Sequence, residues 1–201
     1  MVVACSSHDS VEFQPSDYSM SDIASIVQDA AWSATAKSYA TVTIRERLFG
    51  IWKSTSLSVP IAGFVSVTDE KASGEVTVNL GSLTSDDKRR DEYLRTKLFT
   101  NPSQSIMLCS VVDFNLENEK LNLPQAIKSR CSIGNFSAEQ SWLITEVVGG
   151  AQPTILLQSR VLLDSYGIMD ISQEPIVKVA RVVSVEVELN LLQKSALGDS
   201  P

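Results

Sequence analysis

From about residue 38 onward, apolar and polar side chains alternate with a period of two. Tyr39-Ala40-Thr41-Val42-Thr43-Ile44 shows it, and so does Glu75-Val76-Thr77-Val78-Asn79-Leu80. The clearest run lies near the end, where Val183, Val185, Val187, Leu189 and Leu191 alternate with Ser184, Glu186, Glu188 and Asn190. Strict alternation gives a strand one dry face and one wet face, as in an antiparallel sheet. Further β-rich runs lie near 58–67, 105–115, 121–133, 140–148 and 154–163. Turn chemistry separates them at Lys71-Ala72-Ser73-Gly74, Glu117-Asn118-Glu119, Gly149-Gly150 and Gln152-Pro153. Two segments break the rhythm. Ile23, Ile26, Val27 and Ala30 fall at helical spacing behind the caps Ser19 and Ser21. Residues 82–95 also read as helical, with Thr84 or Ser85 as the cap and acids ahead of bases.

The pattern therefore predicts an all-β domain of about eight antiparallel strands with one or two short helices. Such a sheet manages its edges as a sandwich or as a closed barrel, and alternation alone allows both. No internal repeat or linker divides the chain. Residues 1–20, polar and carrying Pro15, read as an N-terminal arm; residues 21–194 read as one domain and 195–201 as a tail.

Composition narrows the chemistry. The 201 residues carry 17 Lys and Arg against 24 Asp and Glu, a net charge of −7, which excludes the basic footprint of a nucleic-acid binder. No stretch of about 18 apolar residues exists to cross a bilayer as a helix. The single histidine, His8, lies in the arm; it removes multi-histidine metal sites and most histidine-based triads. Without a G-x-S-x-G motif or a metal cluster either, the chain reads as a non-enzyme. Cys109 and Cys131 lie in strand-like sequence and read as two small buried hydrophobes, or as a disulfide if their strands are neighbours. Val2-Val3-Ala4-Cys5-Ser6-Ser7 resembles the lipobox of bacterial lipoproteins, although only four residues precede Cys5. As the stub of a processed signal it implies lipidation of Cys5, a membrane tether and an oxidising envelope compartment.

Ser82-Leu83-x-Ser85, then Arg90-Asp91-x-x-Leu94-Arg95 and Leu98-Phe99, resembles the signature of the YceI-like family. Pro102 and the strand Ile106 to Val112 follow it as they do in that family. Trp32 through Ile44 resembles the family's opening strand, and Leu162-Leu163-Asp164-Ser165-Tyr166-Gly167-Ile168 its late element. The family's middle glycine-bearing segment has no counterpart; Leu121 to Ile127 and Cys131 to Phe136 stand there instead. The resemblance implies an elongated, lipocalin-like, eight-stranded antiparallel barrel around an apolar tunnel. It implies a bound polyisoprenoid, quinone tail or fatty acid, no required cofactor or metal, and a periplasmic setting.

An eight-stranded barrel either fills with side chains or holds one slender ligand. A chain of about 15 carbons gains roughly 10 kcal/mol gross on leaving water. Part of that is lost to ordering, which leaves room for micromolar binding. The expected tunnel lining is Val42, Ile44, Val76, Val78, Leu80, Ile106, Leu108, Val183, Val185 and Val187. Ser82, Arg90, Asp91, Leu94, Arg95 and Phe99 are the family-motif residues, among which Asp91 and an arginine are expected to fix the helical turn against the barrel. Asp91 pairs with Arg95 in that reading, while an arginine clamp on a phosphate is the rival. Asp86 and Asp87 read as helix-start charges. Trp32, Trp52 and Trp142 read as core or rim packing. The alternative function is a filled barrel that binds a protein partner through its surface, with residues 121–137 as the changed face. The chain is expected to be a monomer or a homodimer.

Overall fold

The alternating segments form long strands, and the computed structural model describes residues 30–68, 71–98, 105–115, 123–168 and 177–194. Ten strands follow one another: β1 (Ala30–Ala34), β2 (Tyr39–Leu48), β3 (Ile51–Thr68), β4 (Lys71–Asn79), β5 (Ile106–Asn115), β6 (Gln125–Ile133), β7 (Phe136–Val148), β8 (Thr154–Leu162), β9 (Val177–Val179) and β10 (Val182–Gln193). Strands β2 to β8 pair antiparallel in sequence order, β8 pairs β10, and β10 returns to β2. Eight staves thus close a barrel, which removes the free edges a sandwich would leave.

The two short strands prolong staves rather than adding new ones. β1 continues β2 past a break at Thr35–Ser38 and pairs both β10 and β3. At the break the buried Ser38 hydroxyl accepts from the Asn190 amide (2.9 Å) and donates to the Asn190 carbonyl (3.1 Å), so the interrupted ladder stays satisfied. β9 likewise prolongs β10 and pairs the far end of β2, from Glu46 to Leu48. β3 leaves β2 for β1 beyond Pro60. There Gly63 passes so close to β4 that a Cβ would strike the Glu75 carbonyl oxygen.

Among the described residues, helical segments cover one end of the barrel only. They are the 3₁₀ turn Leu80–Ser82, the helix α1 (Lys88–Tyr93) with its wide turn Leu94–Leu98, and the 3₁₀ turn Leu163–Tyr166. Thr84 exchanges backbone hydrogen bonds with Ser58 (2.8 and 2.9 Å), which pins this cap to β3. The helix is shorter than the sequence suggests, and its cap is Asp87, whose carboxylate accepts from the Arg89 amide (2.9 Å). An aspartate there satisfies an orphan N–H and meets the helix dipole, so it displaces the serine and threonine expected for that role. Ala30, expected at the end of a helix, lies in β1; residues 23–29 fall outside the described residues. The arm, the tail, Cys5, His8 and Phe99 lie outside them as well.

Candidate ligand tunnel

Inside the barrel the dry faces of the strands do not meet. They enclose a cavity of about 250 Å³. One water needs about 10–15 Å³ on the same scale, so the space suits roughly 15–25 water-sized groups. Along β4 the lining runs from Ala72 to Val78, a length of about 20 Å at strand rise. The hollow is therefore long and narrow, and the described inward side chains leave it unfilled.

Val42, Ile44, Val76, Val78, Leu80, Val183, Val185 and Val187 all line it, as the alternation implies. Ile106 and Leu108 do not. Ile106 is 47% exposed, and β5 instead sends Met107, Cys109 and Val111 inward. Met107–Ser110 stand opposite Arg130–Ile133 on β6. That register puts the two cysteines, not the larger aliphatic pair, on the core face. In a run as apolar as Ile106-Met107-Leu108-Cys109 both faces look dry, so sequence alone leaves the phase of the strand open. Leu57, Val59, Ile155 and Leu157 join the wall at positions the pattern made apolar but did not single out, and Trp142, read as packing, lines it too.

Cys109 and Cys131 are paired residues of β5 and β6 and form a disulfide. They are buried, as the simpler sequence reading holds, but joined. The bond lies in the tunnel wall, with Cys109 among the lining residues.

Polar groups at the wall are few, and most are already engaged. Ser73 shares a hydrogen bond with Ser66 (2.8 Å). Ser129 accepts from the Trp142 indole N–H (2.9 Å), which fixes the ring against the cavity. Tyr166 is different: its hydroxyl is buried with no hydrogen-bond partner among the described residues, and burial raises its pKa above the ordinary 10.0. It sits at the capped end, just before Gly167, which takes the left-handed conformation (φ 72°) that ends the 3₁₀ turn. Among the described lining residues none carries a positive charge, and Glu75 is the one carboxylate.

The motif residues build the cap rather than a catalytic or anion site. Asp91 is 5% exposed, and its carboxylate accepts from the Ser85 amide (2.9 Å) and the Ser85 hydroxyl (2.7 Å). Its partner is thus Ser85, not the expected Arg95, which is exposed. Arg90 bridges Asp86 (3.1 Å) and Glu46 (3.3 Å), tying α1 to β2 and leaving no free fork for a phosphate. Ser82 donates to the Asn79 carbonyl (2.7 Å), and Leu94 is buried over the tunnel end. Of the tryptophans, Trp32 lies in the core and Trp142 lines the cavity. Trp52 is 48% exposed on the β2–β3 hairpin and departs from the expected packing role.

No family model matches the chain, and no curated protein sequence does. Solved structures share its fold. A polyisoprenoid-binding domain from Saccharophagus degradans, implicated in plant cell wall breakdown, superposes with a TM-score of 0.56 at 14% identity, covering 82% of this chain and 99% of that one. Burkholderia cenocepacia BcnA gives 0.59 at 15% identity, covering 77% and 96%. The Campylobacter jejuni YceI protein covers 91% and 93% at 15% identity with a TM-score of 0.41. The barrel implied by the YceI-like motifs is the barrel these first two structures share.

Proposed function

We propose that this protein is a non-catalytic carrier of a long apolar chain, a polyisoprenoid or a quinone tail, held inside the barrel. The observation that carries the reading is the hollow itself. A well-packed core leaves few voids larger than a water, whereas this one is long, narrow and almost wholly apolar. Apolar cavities stay dry and take apolar guests. The fold likeness to a polyisoprenoid-binding domain supports the same class of ligand.

The lining also favours an uncharged head. Burying a phosphate or carboxylate without a cation costs several kcal/mol or more, and the described wall offers none. A fatty acid therefore binds, if at all, with its carboxylate outside. The disulfide supports an oxidising envelope compartment, consistent with the periplasmic setting and a tether through Cys5.

Native mass spectrometry of the purified protein, with solvent extraction of the same material, tests the proposal. The expected result is a bound neutral lipid released on denaturation. Absence of lipid, together with no quenching of Trp142 fluorescence by added prenyl quinone or prenyl alcohol, overturns it.

A further inference from the structure

The hairpin joining β2 to β3 has a character of its own. Its turn is Phe49-Gly50, both with positive φ (49° and 85°), as a two-residue hairpin turn of the favoured kind requires. Asn-Gly suits such a turn; a bulky residue at positive φ is an outlier. Phe49 nevertheless occupies it and is 77% exposed, with Ile51 at 65% and Trp52 at 48%. Three large apolar side chains thus crowd the tip, and among the described residues none covers them. Strain and exposure kept together at one tip mark a contact surface.

The charge around the tip says what it contacts. Between Ile44 and Ser54 the chain carries Arg45, Arg47 and Lys53 against one acid, Glu46. Glu46 is already taken by Arg90 (3.3 Å). Arg45 and Arg47 share the outer face with Trp52: Arg47 stands opposite Trp52, and the Arg45 guanidinium lies 5.5 Å from the ring centroid. Local charge is positive on a chain whose net charge is −7. An apolar aromatic tip ringed by cations complements a bilayer whose surface is anionic, where aromatic residues sit at headgroup depth and cations meet lipid phosphates. A second copy of this acidic chain, presenting the same cations at a symmetric contact, is a poorer match.

We infer that the β2–β3 hairpin docks the protein on anionic membranes, with Phe49, Ile51 and Trp52 inserted at the headgroup boundary and Arg45, Arg47 and Lys53 on the phosphates. The inference does not depend on what fills the barrel.

Flotation with vesicles tests it. The protein is expected to float with equal-part phosphatidylcholine and phosphatidylglycerol vesicles, to bind pure phosphatidylcholine at least tenfold more weakly, and to be released by salt. Phe49→Asn relieves the turn, so with Trp52→Ser it should lose binding at least tenfold while its thermal midpoint stays level or rises. Arg45→Gln and Lys53→Gln should each weaken binding to the mixed vesicles about fivefold and leave phosphatidylcholine binding unchanged. Trp52→Ser alone leaves the turn intact and decides the matter if the double variant misfolds. Equal flotation of the Trp52 variant and the unchanged protein overturns the inference. So does a protein that binds no vesicles, including one whose hairpin instead forms a dimer by sedimentation.

Discussion

Cys109 and Cys131 face one another across the β5–β6 pair and are covalently joined, so the tunnel wall carries a cross-link between two strands that are already hydrogen-bonded. The bond closes a sequence separation of 22 residues, and the connection between these strands is the part that departs most from the YceI-like pattern. Constraining a loop of that length in the unfolded chain contributes about 3 kcal/mol.

Reduction should therefore lower stability without opening the barrel. We expect dithiothreitol, or the Cys109→Ser and Cys131→Ser pair, to lower the unfolding free energy by about 3 kcal/mol. Chemical denaturation with and without reductant measures it. An unchanged midpoint contradicts the expectation.

The cap depends on Ser85 and Asp91. Asp91 is buried and accepts two hydrogen bonds from Ser85. Ser85→Ala removes a charge-assisted bond and should cost about 1.5–3 kcal/mol; Asp91→Ala should cost a similar amount. Because the two groups act on one another, the double variant should fall well short of the sum. Additive losses in urea unfolding count against the pairing.

Enlarging a wall residue separates a hollow barrel from a full one. Val185 lines the cavity. In a filled core Val185→Phe costs about 1–3 kcal/mol by overpacking. Here it should leave stability within about 1 kcal/mol and weaken prenyl quinone binding at least tenfold, read by Trp142 fluorescence. A large loss of stability with binding intact contradicts the tunnel.

Tyr166 holds a buried hydroxyl with no partner among the described residues. Tyr166→Phe removes the desolvation cost, so the empty protein should gain up to about 1 kcal/mol. Its folded pKa is raised by burial. Stability from the held proton is present below the ordinary value of 10.0 and is lost as pH rises through the folded value. The variant should therefore resist alkaline unfolding better than the unchanged protein. An equal alkaline midpoint for both excludes Tyr166 from that transition.

Glu188 titrates in the opposite sense. A hydrogen bond from the Asn190 amide, then one from the Tyr39 hydroxyl (2.7 Å), hold its pKa below the ordinary 4.5. Its contribution is present above that value and is lost as pH falls through the folded pKa. Solvent screening limits it to about 0.5 kcal/mol. Thermal melts of Glu188→Gln should match the unchanged protein in acid and fall slightly below it at neutral pH.

Strand identity, antiparallel pairing and most of the tunnel lining were legible in the chain, because a period of two assigns residues such as Val42, Val76 and Val185 to one face wherever polar neighbours flank them. The cap was legible in outline from Asp87 and the Arg90-Asp91 motif. What the sequence left open had one common cause: it needed partners distant along the chain. Closure into a barrel follows from β10 meeting β2, about 140 residues apart. The phase of β5, and with it the disulfide, was set by its register against β6, since a run apolar on both faces carries no marker of its own. The Ser85–Asp91 pairing replaced the local Asp91–Arg95 one because a buried carboxylate is better satisfied by a backbone amide and a hydroxyl within the cap than by a solvated cation. The empty interior was likewise a tertiary outcome: the same valines would fill a narrower or flatter sheet, and only closure at eight staves holds their tips apart.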